Sequence, residues 1–328
     1  MERLAYAPLA ARLPDSFAAF QQRTAHQPVY VVLGVQGSGT NLLSRLLEQA
    51  FNFSLIEDGS FIFNVAARLG DVPSPSEIRR ACHTIHARLF PSTLVRKTRR
   101  LIKSNTSFHD IDVQFGAAHI ASGADLARLV YAYGAFRHGT DVMAIKSDDL
   151  WETIDRIDAV LPNRRTIFLT RDFRDNLLSV AGSDFGPIDP LHAARYVKHQ
   201  VSVYEREYAR TPASQRFHLR YEDLLDAPET VARRMSAHFG LPIAPKLEAR
   251  LRTLNIRPGN TERWRRLSAK QLAHVEAVLC RELQTYGYQL ASATRESPRP
   301  ADWMMATAAE VVQRIGQKGR HITKRLGR

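Results

Sequence analysis

The stretch that most constrains the fold is residues 29–47, a short apolar segment followed by a glycine-rich turn and a helical pattern. The residues from Val29 to Leu33 are all apolar, without alternation, which is typical of a buried parallel strand. Gly34 and Gly39 follow, and apolar residues after Thr40 then recur at helical spacing. Glycines let the backbone N–H groups of such a turn converge, and a helix N-terminus adds partial positive charge. The stretch therefore predicts a site for a phosphate-like anion.

The turn differs from the phosphate loop of nucleoside triphosphatases at two positions. A Walker A motif reads G-x-x-x-x-G-K-[ST]. Gly34 and Gly39 have that separation, but Thr40 replaces the lysine and Asn41 replaces the hydroxyl residue that binds magnesium. A kinase or triphosphatase would therefore need its cation and its magnesium ligand from elsewhere in the chain. A tight strand-to-helix turn whose glycines serve packing alone is the structural alternative.

A second strand and helix start, at residues 166–179, carries two arginines. Residues 167–169 predict another buried strand, and Arg171 and Arg174 come directly after it. Ligands of open parallel sheets bind beyond the carboxyl ends of strands, and guanidinium groups bind phosphate through paired hydrogen bonds. Ser179 follows Arg171 by eight residues, so two helical turns could bring its hydroxyl to the same anion. In the alternative, the arginines pair with neighbouring aspartates at an ordinary helix start.

The string Gly-Ser-Gly-Thr-Asn-Leu-Leu at residues 37–43 resembles the 5′-phosphosulfate loop of sulfotransferases, which use 3′-phosphoadenylyl sulfate (PAPS). The resemblance covers residues 29–57 and, in pieces, 141–288. It implies that PAPS is the donor, that no metal is required, and that the loop residues bind the 5′ end. Those residues are Gly37, Ser38, Gly39, Thr40 and Asn41.

Three further positions extend the resemblance. Arg171 and Ser179 resemble the family's 3′-phosphate motif, an arginine at a strand end and a serine eight positions later. Tyr221, in the segment Tyr-Glu-Asp-Leu, is similar to a family tyrosine that lies near the adenine. Arg257 resembles an arginine of the C-terminal loop that reaches the 3′-phosphate. The resemblance thus implies one nucleotide bound by segments far apart in sequence.

Sulfuryl transfer needs a base for the acceptor proton and positive charge near the leaving phosphate. Family members usually carry Lys or Arg before the Ser-Gly-Thr, where this chain has Gly37. We expect Lys146, after a strand predicted over 142–145, to supply that cation. The resemblance indicates Glu57 as the base or, failing that, Asp148. The structural alternatives are a solvated carboxylate at Glu57, a helix-start aspartate at Asp148 and a solvent-reaching lysine at Lys146.

The order of strand and helix patterns predicts one α/β domain with a central, mostly parallel sheet and helices on both faces. The resemblance implies the P-loop-like sulfotransferase fold. We expect the domain to span residues 1–290, with 60–140 as a helical and loop insertion for acceptor recognition and 291–328 as a basic tail. Strands are predicted at 29–33, 53–56, 142–145, 167–169 and 217–221.

The net charge of +13 is concentrated in two runs that contain no acidic residue. Residues 88–103 and 314–328 hold six Lys or Arg each. Such runs are often solvated surface, and otherwise they indicate an anionic partner. With the resemblance, they favour a small-molecule, glycan or lipid-linked acceptor. A non-catalytic polyanion-binding protein is the remaining alternative. We expect no specific nucleic-acid partner, because the aromatic and basic alternation of single-strand binders is missing.

The segment 302–328 carries apolar residues at helical spacing between basic ones. They are Met304, Val311, Ile315, Ile322 and Leu326. A basic amphipathic helix would contact a membrane surface peripherally, whereas Gly316 and Gly319 favour a disordered basic tail. The two cysteines form no disulfide or metal framework, and neither a signal peptide nor a membrane span is evident. We therefore expect a cytoplasmic protein with possible contact at the inner membrane face.

Overall fold

Five strands form one parallel sheet in the computed structural model, which describes residues 17–57, 60–69, 73–89, 120–146, 149–181, 183, 186–254, 261–292 and 296–312. The strands are β1 (Val29–Gly34), β2 (Ser54–Glu57), β3 (Met143–Lys146), β4 (Arg165–Thr170) and β5 (Arg216–Arg220). Their order across the sheet is β2-β3-β1-β4-β5, and each pairing between them is parallel. The predicted α/β class is confirmed, and each strand lies within two residues of its predicted bounds.

The helices in chain order are α1 (Phe17–Thr24), α2 (Thr40–Phe51), α3 (Ser60–Leu69), α4 (Pro75–Leu89), α5 (Gly123–His138), α6 (Leu150–Val160), α7 (Phe173–Ala181), α8 (Pro190–Arg210), α9 (Tyr221–Asp226), α10 (Pro228–Phe239), α11 (Leu247–Leu251) and α12 (Ala269–Thr285). A further helix spans residues 300–312 and is called the C-terminal helix below. None of the described helices is both long and apolar enough to cross a bilayer.

β1 is buried on both of its faces, which explains its unbroken apolar run. Val31 and Leu33 point into a core that α3, α5, α6 and α8 share, whereas Val32 points into a core built with α2, α10 and α11. Burying a side chain of this size contributes about 1.5–3 kcal/mol. The central position of β1 therefore follows from its composition, and the loop after it lies at the middle of the sheet edge.

The described parts of the predicted 60–140 insertion belong largely to the core. α3 contributes Phe61, Ile62 and Phe63 to it, and α5 contributes Leu126 and Tyr131. α5 covers the sheet face at β2 and β3, and α3 packs against α5. The basic residues from 96 to 103 lie outside the described residues.

Candidate functional site

The loop after β1 has backbone angles that glycine adopts readily. Gly37 has φ +82° and Gly39 has φ +96°, both in the left-handed region. Gly39 also caps α2, and no side chain forms a capping hydrogen bond there. The first amide N–H groups of a helix have no acceptor within the helix itself. The loop and the start of α2 therefore form an anion-binding geometry at the carboxyl edge of the sheet.

Side chains from α7 and α8 fix the beginning of this loop. Asn176 donates through Nδ2 to the carbonyl oxygens of Val35, at 3.3 Å, and of Gln36, at 3.0 Å. The backbone N–H of Gln36 donates to Oε1 of Gln200 at 2.8 Å, and the hydroxyl of Tyr196 donates to Oε1 of the Gln36 side chain at 3.2 Å. The backbone of the loop is thus held from the neighbouring helices before any ligand binds.

The two predicted phosphate-binding segments meet at Gly37. A Cβ added to Gly37 would lie 2.6 Å from Cβ of Ser179 and 3.0 Å from its hydroxyl oxygen. Arg171 donates through Nη1 to the Gly37 carbonyl oxygen at 2.9 Å. A Cβ added to Gly39 would lie 2.3 Å from the ring of Tyr221, and the Arg171 guanidinium lies over that ring, 4.6 Å from its centroid. These residues therefore surround one crevice between β1 and β4.

The remaining loop residues have different surroundings. The Ser38 amide donates to the Val35 carbonyl at 2.9 Å. The Ser38 hydroxyl is buried beside Gly34, where it has no hydrogen-bond partner among the described residues. Thr40 is buried in the first turn of α2, whereas Asn41 is exposed there. Ser38 therefore shapes the turn, and its predicted contact with an anion stays a prediction.

The second arginine of the pair has a structural role. Arg174 is buried and donates to both carboxylate oxygens of Asp172, at 3.0 and 2.7 Å, and to Glu276 at 2.5 Å. Its guanidinium also lies 4.0 Å from the ring centroid of Trp264. Burial alone would lower the pKa of Arg174, but hydrogen bonds and charges from Asp172 and Glu276 raise it. Arg174 therefore anchors α7 to α12.

Arg171 forms the salt-bridged helix start weighed from the sequence and also contacts the loop, and its predicted binding of a phosphate stays a prediction. Its Nη2 lies 3.5 Å from Asp175, which matches a salt-bridged helix start, while its Nη1 reaches the loop. Burial raises the pKa of Asp175, and the nearby charge of Arg171 opposes that rise. The guanidinium is consequently fixed between a carboxylate, a backbone carbonyl and the Tyr221 ring.

Four Lys or Arg side chains are buried in the part of the chain that the structure describes. They are Lys146, Arg164, Arg171 and Arg174. Arg164 precedes β4 and pairs with Glu207, so it belongs to the amino edge of the sheet. Lys146 ends β3 and is level with Val32 of β1 in the strand register, on the face that α2 covers. A buried cation therefore stands at the carboxyl edge, one strand from the loop.

Glu57 ends β2, and its backbone is level with Lys146 in the parallel register. The Glu57 side chain lies outside the described residues, as do Asp148 and Arg257. β2 is separated from β1 by β3, whereas Asp148 follows β3 directly. Both candidate bases therefore belong to strand ends on the same side of the loop, and the choice between them stays open.

Asn176, Gln200 and Tyr196 are site residues that sequence reasoning missed. α8, which carries two of them, begins with Asp189 accepting a hydrogen bond from the Leu191 amide and has Pro at its first position. That combination is a strong helix-start signal, so the helix itself was predictable. The direction in which Gln200 and Tyr196 point was not, because it depends on how α8 packs.

Comparison with known proteins gives consistent results. The protein-family model described as "Sulfotransferase family" matches residues 28–245 of this chain. The sulfotransferase domain from the Synechococcus PCC 7002 olefin synthase is 15% identical with a TM-score of 0.53, covering 81% of this chain and 96% of that one. The sulfotransferase domain from the curacin biosynthetic pathway is 13% identical with a TM-score of 0.53, covering 80% and 99%. No curated protein matches the sequence significantly. At these identities the likeness to the two structures is one of fold.

Proposed function

Because the chain belongs to the sulfotransferase family, we propose that it transfers a sulfuryl group from PAPS to a hydroxyl or amine of an acceptor. The observation that carries the proposal is the contact of Gly37 with both Arg171 and Ser179. PAPS has phosphate groups at its 5′ and 3′ positions. Two anion-binding segments on one crevice suit such a nucleotide, whereas two segments on separate surfaces would not.

The residues around the crevice fit this donor. The loop from Gly37 to Asn41 would hold the 5′-phosphosulfate through backbone N–H groups and the start of α2. Arg171 and Ser179 would hold the 3′-phosphate, with Tyr221 beside the adenine and Arg257 closing the site. Arg171 is buried and held in place by its contacts, so its charge would need little rearrangement to act on an anion.

Bound PAPS would supply the sulfuryl group together with a phosphate leaving group. Lys146 would stabilise the negative charge that develops on the leaving oxygen, in place of the basic residue that Gly37 replaces. Glu57, or failing that Asp148, would take the proton from the acceptor. The acceptor that fits the two basic runs is an anionic small molecule or a glycan, including a lipid-linked one.

The donor assignment is tested with adenosine 3′,5′-bisphosphate (3′,5′-ADP), the nucleotide that remains after transfer. We expect the protein to bind it in titration calorimetry, and Arg171→Lys to weaken binding about tenfold or more, because lysine lacks the guanidinium fork. Arg165→Lys is the matched control. Arg165 also donates to a backbone carbonyl, that of Phe239, and lies over an aromatic ring, but it starts β4 at the opposite edge.

Three outcomes would overturn the donor assignment. Folded protein that does not bind 3′,5′-ADP has no donor site, and equal losses for Arg171→Lys and Arg165→Lys would mean that Arg171 acts only through the fold. Stabilisation by ATP with magnesium but not by 3′,5′-ADP would favour a kinase or triphosphatase. Polyanion binding that is steeply salt-dependent and survives Arg171→Lys would favour a non-catalytic binder.

The base is tested by comparing Glu57→Gln with Asp148→Asn. Release of 3′,5′-ADP from PAPS is followed with a panel of hydroxyl and amine acceptors. Loss of the true base lowers kcat about 10²–10⁴-fold and leaves 3′,5′-ADP affinity unchanged. If both variants keep full turnover, neither carboxylate is the base.

A further inference from the structure

The C-terminal helix, residues 300–312, packs one of its sides against the protein. Asp302 pairs with Lys270 at 2.8 Å. Trp303 packs edge-on against His192, with ring centroids 5.6 Å apart, and Thr307 shares a 3.2 Å hydrogen bond with the same imidazole. Ala306 is buried between these contacts. The helix is therefore docked on α8 and α12 through the side that carries Asp302, Trp303 and Ala306.

The opposite side of this helix is apolar and faces outward. Its large side chains are the exposed apolar face, Met304 (73% exposed), Met305 (58%), Val311 (52%) and Val312 (68%). These four are the exposed large hydrophobic residues of the described part of the chain. Seven residues separate Met304 from Val311 and Met305 from Val312, so the four side chains form two neighbouring rows on one face of the helix. A surface helix normally packs its large apolar side chains against the protein core. Their exposure here indicates that this face meets an apolar partner.

The charge of the sequence that follows selects the partner. Residues 313–328 contain six Lys or Arg and no acidic residue. A symmetric dimer through the exposed apolar face would bring two such segments toward each other, which is electrostatically unfavourable. A bilayer with anionic lipids instead offers an apolar layer beneath a negatively charged surface. We propose that the exposed apolar face of the C-terminal helix lies in the surface of a lipid bilayer that contains anionic lipids.

This orientation would tie the membrane contact to the donor loop. His192, which contacts the C-terminal helix, is one turn before Tyr196 on α8, and Tyr196 binds the loop residue Gln36. One rigid helix thus connects the two regions. The proposal does not depend on the donor assignment, since it rests on a different surface.

Vesicle co-sedimentation of the full chain tests the proposal. We expect sedimentation with vesicles of phosphatidylcholine and phosphatidylglycerol, but not with phosphatidylcholine alone. A quadruple variant removes the exposed apolar face without touching a packed residue. Its substitutions are Met304→Gln, Met305→Gln, Val311→Gln and Val312→Gln. We expect the partition coefficient of this variant onto the anionic vesicles to fall about tenfold or more.

The charge contribution has a matched control. Arg314→Gln with Lys318→Gln should weaken binding to the anionic vesicles several-fold. Arg233→Gln with Arg252→Gln removes the same charge from exposed sites on α10 and beyond α11, and it should leave binding unchanged. Urea unfolding of each variant shows whether the fold is intact, and this measurement does not depend on the donor site.

The proposal is overturned by any of three results. One is folded wild-type protein that does not sediment with anionic vesicles. Another is a concentration-dependent dimer that the quadruple variant abolishes while vesicle affinity is unchanged, which would assign the face to a second copy. The third is equal binding to inorganic polyphosphate and vesicles with no effect of the quadruple variant, which would leave only a polyanion site.

Discussion

The approach of Gly37 to Ser179 predicts an energetic coupling between the two proposed phosphate-binding segments. Gly37→Ala places a Cβ 2.6 Å from the Ser179 Cβ and 3.2 Å from the Asn176 carbonyl oxygen, at a φ of +82°. The left-handed backbone costs about 1–2 kcal/mol for alanine, and overpacking at such a contact costs about 1–3 kcal/mol. We therefore expect the free energy of unfolding to fall by about 2–5 kcal/mol.

The two contributions can be separated with Gly240→Ala. Gly240 caps α10 at a φ of +67°, and a Cβ added there meets no atom within 4 Å. This control therefore reports the backbone cost alone, about 1–2 kcal/mol. The excess loss in Gly37→Ala, about 1–3 kcal/mol, measures the overlap with α7.

A double-mutant cycle with Ser179→Gly then identifies the overlapping partner. Removing the Ser179 side chain makes room for the new methyl group, so the double variant should be more stable than the sum of the single losses by about 1–3 kcal/mol. Urea unfolding measures all four proteins. A coupling below about 0.5 kcal/mol, or equal losses for Gly37→Ala and Gly240→Ala, would refute the contact between the two segments.

Three further predictions concern buried or half-buried ionisable groups. Arg174→Met leaves Asp172 and Glu276 without their shared guanidinium, and urea unfolding should show a loss of about 3–5 kcal/mol; a loss under 1 kcal/mol, on the order of a surface pair, would contradict burial of this network. Burial alone would raise the pKa of Glu276, but hydrogen bonds led by Ser292 lower it below its ordinary value of 4.5. Its stabilising effect is therefore present above pH 4.5 and lost as the pH falls through the lower folded pKa, and Glu276→Gln should flatten that part of the stability profile. Burial lowers the pKa of His218, so its ring signal in NMR should titrate below 6.5 and folding stability should decline as the pH drops below that value; a midpoint at or above 6.5 would contradict it.

Local patterns predicted the sheet because β1 and β4 contain short apolar runs, whereas β5 alternates buried and half-buried residues. β1 and β4 are buried on both faces, and their composition alone separates them from exposed segments. The glycines at 37 and 39 predicted the turn after β1. Their left-handed backbone angles are a local property of that turn and do not depend on distant contacts. The closeness of Arg171 and Ser179 was predicted from their separation of eight residues, about two helical turns, after the end of a strand.

Long-range contacts account for what the sequence did not predict. Arg171 and Arg174 look equivalent locally, since each pairs with a neighbouring aspartate. They differ in their distant partners, because Arg174 also pairs with Glu276, 102 residues later, whereas Arg171 donates to Gly37. Gln200 holds the loop across 164 residues, and no local pattern assigns a glutamine such a partner. The expected role of residues 60–140 in acceptor recognition stays a prediction, and the described part of this segment contributes mainly to the core.

The sheet order has a kinetic consequence for the crevice. The hydrogen bond from Arg171 to Gly37 spans 134 residues, and β1 pairs with neighbours that the chain reaches only after residue 142. High contact order slows folding, because distant segments must find each other before their pairing stabilises them. We expect refolding protein to regain helical ellipticity first and nucleotide affinity last. A nascent chain from which only β1 and α2 have left the ribosome would carry one of the two proposed phosphate-binding segments, and the second would follow only after β4 is synthesised.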